Sequence, residues 1–263
     1  MRLCVGGGSR AAVFALVLAA SGAAEAACRQ ALAIGLDVSG SVDGREYRLQ
    51  LDGLAGALLV PDVQAAFLAF PDTPVRLYVY EWAGLGSTRA LVPWTEITDA
   101  AVLRGVAATL AGTPRVATEP PTAIGQAMLA GARQLARQPD CWKHTLDLSG
   151  DGKSNTGPRP RDLGGEPLLE GITVNALVIG ADPMSHGDER QVQIPELWAY
   201  FKVEVIRGPD AFVEVALGFE DFQDAMARKL LRELQTLAVS DAGHPARLQP
   251  LRPKPATSSG RAE

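Results

Sequence analysis

The sequence predicts an α/β protein whose doubly wound, Rossmann-like sheet is mostly parallel and has one antiparallel edge strand. Three observations support this prediction. Strand-like apolar segments alternate with amphipathic helical segments along the chain. Residues 31–36 and 172–179 are largely apolar, as expected of strands covered on both faces. A short glycine-containing turn at 83–86 joins two segments rich in β-branched and aromatic residues, which is typical of an antiparallel hairpin.

The first half of the chain is predicted to form three strands and three helices. Asp43 is an expected N-cap of the first helix, and Thr98 or Asp99 is expected to cap the third. In chain order the segments are a strand at 30–38, helices at 43–59 and 62–70, strands at 75–82 and 88–94, and a helix at 98–110.

The second half is predicted to complete the sheet. A helix is expected to begin at the Pro-Pro-Thr segment 120–122 and to continue to residue 137. It is followed by a strand at 142–148, a short irregular helix at 159–170, a strand at 172–179, a polar loop at 182–193, a short helix at 195–201, a short strand at 202–206, a possible edge pairing at 212–216 and a closing helix at 219–237.

Composition and chain ends divide the 263 residues into three parts. Arg2 and Arg10 precede a short apolar run and an Ala-Glu-Ala cleavage pattern, so residues 1–26 are interpreted as a secretory signal and the protein as periplasmic or secreted. An uncleaved anchor and a lipoprotein acylated at Cys28 are the alternatives. Residues 27–239 are predicted to form one domain, and 240–263, rich in Pro, Arg, Ser and Ala, a disordered tail. The formal charge of −5 and the lack of a basic stripe argue against nucleic-acid binding.

Signal cleavage would leave two cysteines, Cys28 and Cys141. Cys28 lies nine residues before Asp37, and Cys141 lies ten residues before Asp151. If the two strands concerned are parallel neighbours, the cysteines meet at the same end of the sheet. We therefore expect a disulfide between them, as suits an exported protein; two free thiols are the alternative.

Oxygen-bearing side chains are expected to meet at the opposite end of the sheet. In an open α/β sheet, ligands bind at the carboxyl ends of the strands. Three loops there supply two carboxylates and three hydroxyls, a set that suits Mg²⁺ or Mn²⁺ better than Ca²⁺ or zinc. The predicted metal ligands are Asp37, Ser39, Ser41, Thr122 and Asp151. Taken singly, Thr122 could be an N-cap and Asp151 a turn residue; Asp147 is either a structural hydrogen-bonding residue or a group that supports the ligands.

These five residues resemble the metal-ion-dependent adhesion site (MIDAS) of von Willebrand factor A (vWA) domains. In that family a first-loop Asp-x-Ser-x-Ser, a second-loop Thr and a third-loop Asp form the site. Longer stretches, including DVSGSVDGREYRLQ from residue 37 and GITVNALVIG from 171, resemble a bacterial exported vWA-like family of unknown function over about residues 28–237. The resemblance implies a vWA-type sheet in which the first strand neighbours the strand at 142–148, which is the adjacency that the disulfide needs. Glu119-Pro120-Pro121 before Thr122 and Ser149-Gly150-Asp151-Gly152 in the third loop depart from the usual family pattern.

The function predicted from these features is not enzymatic. We expect an exported adhesion or scaffold module that captures a Glu or Asp of a partner protein through the bound cation, with loops 43–47 and 153–161 giving specificity. The alternatives are a metal-dependent phosphohydrolase on a similar sheet and a structural domain whose loop oxygens only hydrogen-bond one another.

Overall fold

The computed structural model describes residues 28–117, 120–180 and 194–241, with side chains described as far as residue 234. The predicted signal segment, the polar loop at 182–193 and all but the first two residues of the predicted tail lie outside these ranges. Six strands form one sheet in the order β3–β2–β1–β4–β5–β6. The β2–β3 pair is antiparallel and the other four pairs are parallel, which confirms the predicted fold class. The strands are β1 Cys28–Asp37, β2 Val75–Trp82, β3 Thr88–Ile97, β4 Cys141–Gly150, β5 Ile172–Ile179 and β6 Val213–Ala216.

Helices cover both faces of the sheet. One face packs against α1 (Gly44–Leu59), α2 (Pro61–Leu68), α3 (Ala100–Gly112) and α6 (Phe222–Asp241). The other packs against α4 (Ile124–Leu135), α5 (Ile194–Tyr200) and irregular turns. These turns are the 3₁₀ turns Pro160–Leu163 and Pro167–Leu169 and the π-helical turn Phe201–Val205, while a third 3₁₀ turn, Phe219–Asp221, precedes α6.

Local sequence explains where the two best-capped helices begin. The Asp43 carboxylate accepts hydrogen bonds from the amides of Arg45 and Glu46, and the Glu46 carboxylate accepts one from the Asp43 amide. This reciprocal capping box fixes the start of α1 immediately after the Asp-x-Ser-x-Ser loop. Asp99, not Thr98, caps α3. Both predicted helix starts are therefore confirmed.

The predicted strand at 202–206 is wrong. Phe201 and Val205 are buried while Val203 is 75% exposed. The two buried side chains lie four residues apart, which fits a helical turn and not the two-residue alternation of a strand. In the sequence, Val203 and Val205 alternate with the charged residues 202 and 204, a two-residue pattern that is typical of a strand. The structure shows that this segment is a helical turn.

Several observed element boundaries also differ from the predicted ones. The helix expected from the 120–122 segment to residue 137 is the shorter α4, and its N-cap position is Ala123, so Thr122 is not its cap. The segment 159–170 forms two separate 3₁₀ turns instead of one helix. The hairpin strand expected at 88–94 continues to Ile97 as β3.

The predicted disulfide is confirmed. Cys28 and Cys141 open the adjacent parallel strands β1 and β4, stand opposite each other in the register and are joined by an S–S bond. Their Cα atoms lie 4.3 Å apart, and 113 residues separate them in sequence. The bond therefore fastens the two central strands at the end of the sheet away from Asp37.

No single helix within the described ranges is long and apolar enough to cross a membrane; α1 and α2 meet the length and composition criteria only as a pair bent by 65°.

Candidate metal centre

The five predicted ligands lie where the strand order changes direction. From β1 the chain adds β2 and β3 on one side, then crosses to add β4, β5 and β6 on the other. The carboxyl ends of β1 and β4 therefore border the crevice at which open α/β sheets bind ligands. Asp37 is the last residue of β1, and Asp151 immediately follows β4.

The structure brings the side chains of all five residues into one connected cluster. Thr122 Oγ1 donates to Ser39 Oγ over 3.1 Å, and Ser39 Oγ lies 3.4 Å from Ser41 Oγ. Ser41 Oγ donates to Asp151 Oδ1 over 2.7 Å, and the Ser39 amide donates to Asp37 Oδ1 over 2.8 Å. Three loops distant in sequence thus converge on a patch of five oxygen-bearing side chains.

Asp37 is the least satisfied member of this cluster. Its side chain is fully buried, and its Oδ2 atom has no hydrogen-bond partner among the described residues. Burial, and then the charge of Asp151, raise the pKa of Asp37 well above its usual range, although hydrogen bonds from Ser39 oppose the shift. A buried anion beside a second carboxylate costs free energy unless a cation compensates it.

The donor set fits a hard divalent cation. All five side chains offer oxygen only, and Mg²⁺ and Mn²⁺ prefer oxygen ligands, whereas zinc sites are usually built from nitrogen and sulfur. Within the described part of the chain, no group of three or more His, Cys, Asp or Glu residues could hold a metal. A metal bound at this cluster would therefore depend on hydroxyl ligands as well as on its two carboxylates.

The second and third loops are fastened to each other and to the first. The Gly40 amide donates to the Pro120 carbonyl, and a Cβ on Gly40 would lie only 3.0–3.1 Å from Pro120, so a glycine permits this approach. Asn155 forms two hydrogen bonds with Thr122, both over 2.9 Å. The side-chain oxygen Oδ1 of Asn155 accepts from the Thr122 backbone amide, and the backbone amide of Asn155 donates to the Thr122 carbonyl. The hydroxyl of Thr122 is thereby held toward Ser39.

Sequence reasoning missed three residues that support the cluster: Asn155, Gln50 and Ser149. Gln50 and Ser149 are 0% and 2% exposed and both hydrogen-bond to the backbone of Asp37. A signal was present for Gln50, because it lies on the same helical face as Tyr47 and Leu54 and is a polar residue in an apolar stripe. Ser149 belongs to an alternating polar run on an interior strand, which is equally unusual.

The sequence left two roles open for Asp147, a structural one and support of the metal ligands. The contacts of Asp147 fit the structural role. Its carboxylate forms a buried salt bridge with Lys229, which also bonds to Glu233 over 2.7 Å. None of these contacts involves the five clustered residues. Asp147 therefore anchors α6 to the sheet.

Three exposed ion pairs each include a residue that follows one of the cluster loops in sequence. Arg45 pairs with Glu220, Lys153 with Glu196, and Arg159 with Asp162. The side chains of all six residues are at least 46% exposed, so each pair contributes little to stability. These charges lie in or beside the loops that the sequence suggested as specificity determinants.

Solved structures with the vWA-type fold resemble this protein. Proximal thread matrix protein 1 from the mussel byssus has a TM-score of 0.52 at 15% identity, and the match covers 81% of this chain and 49% of that one. The pilus adhesin SpaC from Lactobacillus rhamnosus GG has a TM-score of 0.54 at 16% identity, covering 80% and 30%. A von Willebrand factor type A protein from Catenulispora acidiphila has a TM-score of 0.52 at 14% identity, covering 79% and 43%. This chain thus spans less than half of the length of each of these three proteins.

One further structure of the mussel protein carries a zinc-occupied MIDAS motif; it has a TM-score of 0.53 at 17% identity, with 81% of this chain and 49% of that one covered. At these identities the likeness establishes the fold alone. No curated protein matches the sequence. Residues 27–238 match the family model described as "Protein of unknown function (DUF1194)", and the chain therefore belongs to that family.

Proposed function

We propose that this protein is an exported binding module that captures an acidic group of a partner protein through a divalent cation. Mg²⁺ or Mn²⁺ is the cation that we favour. The residues that would hold it are Asp37, Ser39, Ser41, Thr122 and Asp151.

The observation that carries the proposal is the unsatisfied Oδ2 atom of Asp37. A buried acceptor without a partner costs about 1–3 kcal/mol. Asp147 and Glu233 also have one unpartnered oxygen each, but the Lys229 ammonium compensates their charge, whereas no salt bridge within the described residues reaches the Asp37 oxygen. This oxygen lies beside Gly150, where an added Cβ would come within 3.4 Å of it. A bound cation would compensate both this oxygen and the repulsion between the two carboxylates.

The balance of charged and neutral donors favours binding of an acidic partner. Three of the five side chains are uncharged hydroxyls, so a cation held here would retain a strong attraction for another anionic oxygen. A Glu or Asp carboxylate of a partner would supply that oxygen. The exposed pairs Arg45–Glu220 and Lys153–Glu196 would then contribute to partner selection.

The structural neighbours are consistent with this proposal by analogy of fold. One is a pilus adhesin, and another is a byssus matrix protein with a zinc-occupied MIDAS motif. The disulfide between Cys28 and Cys141 supports export, because such bonds persist mainly in oxidising compartments.

A relaxation measurement on the Mn²⁺-loaded protein tests carboxylate capture. Bound Mn²⁺ enhances the relaxation of water protons, and a carboxylate that replaces a metal-bound water reduces this enhancement. We expect acetate to reduce it and acetamide, which has the same shape without the charge, to leave it nearly unchanged.

Two variants complete that experiment. Asp151→Asn should lose the Mn²⁺ enhancement, whereas Asp162→Asn, which alters an exposed carboxylate paired with Arg159, should behave as wild type. Equal responses to acetate and acetamide would contradict capture of an acidic group. Hydrolysis of a generic phosphate ester that disappears in Asp37→Ala would favour the phosphohydrolase instead.

A further inference from the structure

One face of the central strand β4 is polar along most of its length. Leu146 and Leu148 point to the α4 face and join the apolar core there. An interior strand covered by helices on both faces is normally apolar on both. The residues on the opposite face, toward α1 and α6, are Lys143, Thr145, Asp147 and Ser149.

Three of these polar residues have separate buried partners. Gln30 Nε2 donates to Thr145 Oγ1 over 2.8 Å near the disulfide end of the strand. Asp147 pairs with Lys229 in the middle. Ser149, at the carboxyl end, bonds to Gln50 of α1.

The contact between Ser149 and Gln50 completes a ring of hydrogen bonds that includes the backbone of Asp37. Ser149 Oγ donates to Gln50 Oε1 over 2.7 Å, and Gln50 Nε2 donates to the Asp37 carbonyl over 2.9 Å. The Asp37 amide lies 3.4 Å from Ser149 Oγ and donates to it. Both backbone polar groups of Asp37 are thus held by buried side chains.

This ring takes over where regular strand pairing ends. The paired register between β1 and β4 stops at Gly35 and Leu148, two residues before Asp37. Beyond that point the described connection between the two strands runs through Ser149 and Gln50. The ring therefore fixes the last residue of β1 relative to β4, the strand that Asp151 follows.

We infer that Gln50 and Ser149 are positioning residues of the proposed metal centre, and this inference rests on the proposed function. Holding the Asp37 backbone fixes the distance between the Asp37 and Asp151 carboxylates before a cation arrives. Groups that orient metal ligands in this way typically contribute 10–100-fold to metal affinity. Loss of the ring would leave all five ligand side chains present but less well ordered.

Ser149→Ala and Thr145→Val form a matched pair of variants to test this inference. Each removes one buried hydroxyl from the same face of β4, and each hydroxyl is bonded to a glutamine side chain. We expect both variants to unfold at a lower temperature than wild type. Only Ser149→Ala should weaken Mg²⁺ binding, by about 10–100-fold in a calorimetric titration.

Further variants separate positioning from a general loss of stability. Ser149→Thr, which keeps the hydroxyl, should retain most of the affinity. Gln50→Met should reduce it as Ser149→Ala does, and the double variant should lose little more than either single one, because the ring acts as a unit. Equal Mg²⁺ affinity in Ser149→Ala and Thr145→Val would overturn the inference while leaving the proposed function intact. A folded wild-type protein that binds no metal would overturn both.

Discussion

At the scale of single residues, Lys229 is a fully buried charge outside the proposed metal centre. Its ammonium group contacts the carboxylates of Asp147 and Glu233. Burial alone would lower the pKa of Lys229, but the two carboxylates outweigh it and raise the pKa above its usual value. The lysine therefore stays charged at neutral pH.

Removing the charge of Lys229 should lower the unfolding free energy. Lys229→Met would leave two carboxylates buried without their cation, and breaking a buried pair in this way costs about 3–5 kcal/mol of unfolding free energy. Because the lysine pKa is raised, its contribution is present at neutral pH and is lost as the pH rises through that raised pKa. On the acidic side the contribution falls as Asp147 is protonated, since burial and Glu233 raise the pKa of that carboxylate. Chemical denaturation of Lys229→Met beside Lys202→Met, whose side chain is exposed, measures the contribution. A loss below about 1 kcal/mol would show that the cluster stabilises little.

The proximity of the five predicted ligands could be predicted from the sequence, whereas their supporting residues could not. That these five residues bind a metal stays a prediction. Asp37 and Asp151 could be placed together because each lies at the carboxyl end of a predicted parallel strand and the family resemblance made those two strands neighbours. The contacts of Gln50 and Ser149 could not, because they depend on the register of β1 against β4 and on the rotation of α1 over the sheet. Lys229 was missed for the same reason: its partner Asp147 lies 82 residues away in sequence.

At the scale of elements, the position of α4 depends on a close approach to the third loop. A Cβ on Gly125, in the first turn of α4, would lie 2.1 Å from the carbonyl oxygen of Pro158. Because that oxygen belongs to the backbone, the helix or the loop would have to move. The loop concerned continues from Asp151 and Asn155.

Two glycine-to-alanine substitutions should therefore change the unfolding free energy in opposite directions. Gly125→Ala should lower the unfolding free energy and weaken Mg²⁺ binding, since it displaces elements that hold Thr122 and Asp151. Gly105→Ala, in the exposed middle of α3 with nothing within 4 Å of the added Cβ, should stabilise by about 0.5–1 kcal/mol. Denaturation of both variants checks the signs, and a stabilised Gly125→Ala would contradict this account of α4.

Element types were predictable wherever capping and periodicity agreed. Asp43 and Asp99 supplied both signals for α1 and α3, so their starts were predicted closely. Segments without a side-chain cap were placed less well: α4 begins after Ala123, whose side chain makes no capping bond. The π-helical turn Phe201–Val205 was mistaken for a strand because five residues contain too few repeats to distinguish the two periods.

At the scale of the whole molecule, the two ends of the sheet differ: one carries the disulfide and the other carries the polar cluster around Asp37. The disulfide fixes β1 to β4 where both strands begin, and the Asp37 ring fixes them where both end. The strand order places the change of direction between these two strands. Spacing from Cys28 to Asp37 and from Cys141 to Asp151 was enough to predict this opposition, once β1 and β4 were taken as neighbours. That adjacency came from the family resemblance and not from the residues alone.

The most direct test of the metal centre is a calorimetric titration of the protein with Mg²⁺ and Mn²⁺. Wild type and Asp62→Ala, which removes an exposed carboxylate on α2, should each show one saturable site. Asp37→Ala should show none and should remain folded, because it removes a buried charge whose pKa is already raised by burial. Folded wild-type protein that binds neither ion, or an Asp37→Ala variant that binds them as wild type does, would contradict the assignment of this cluster as a metal site.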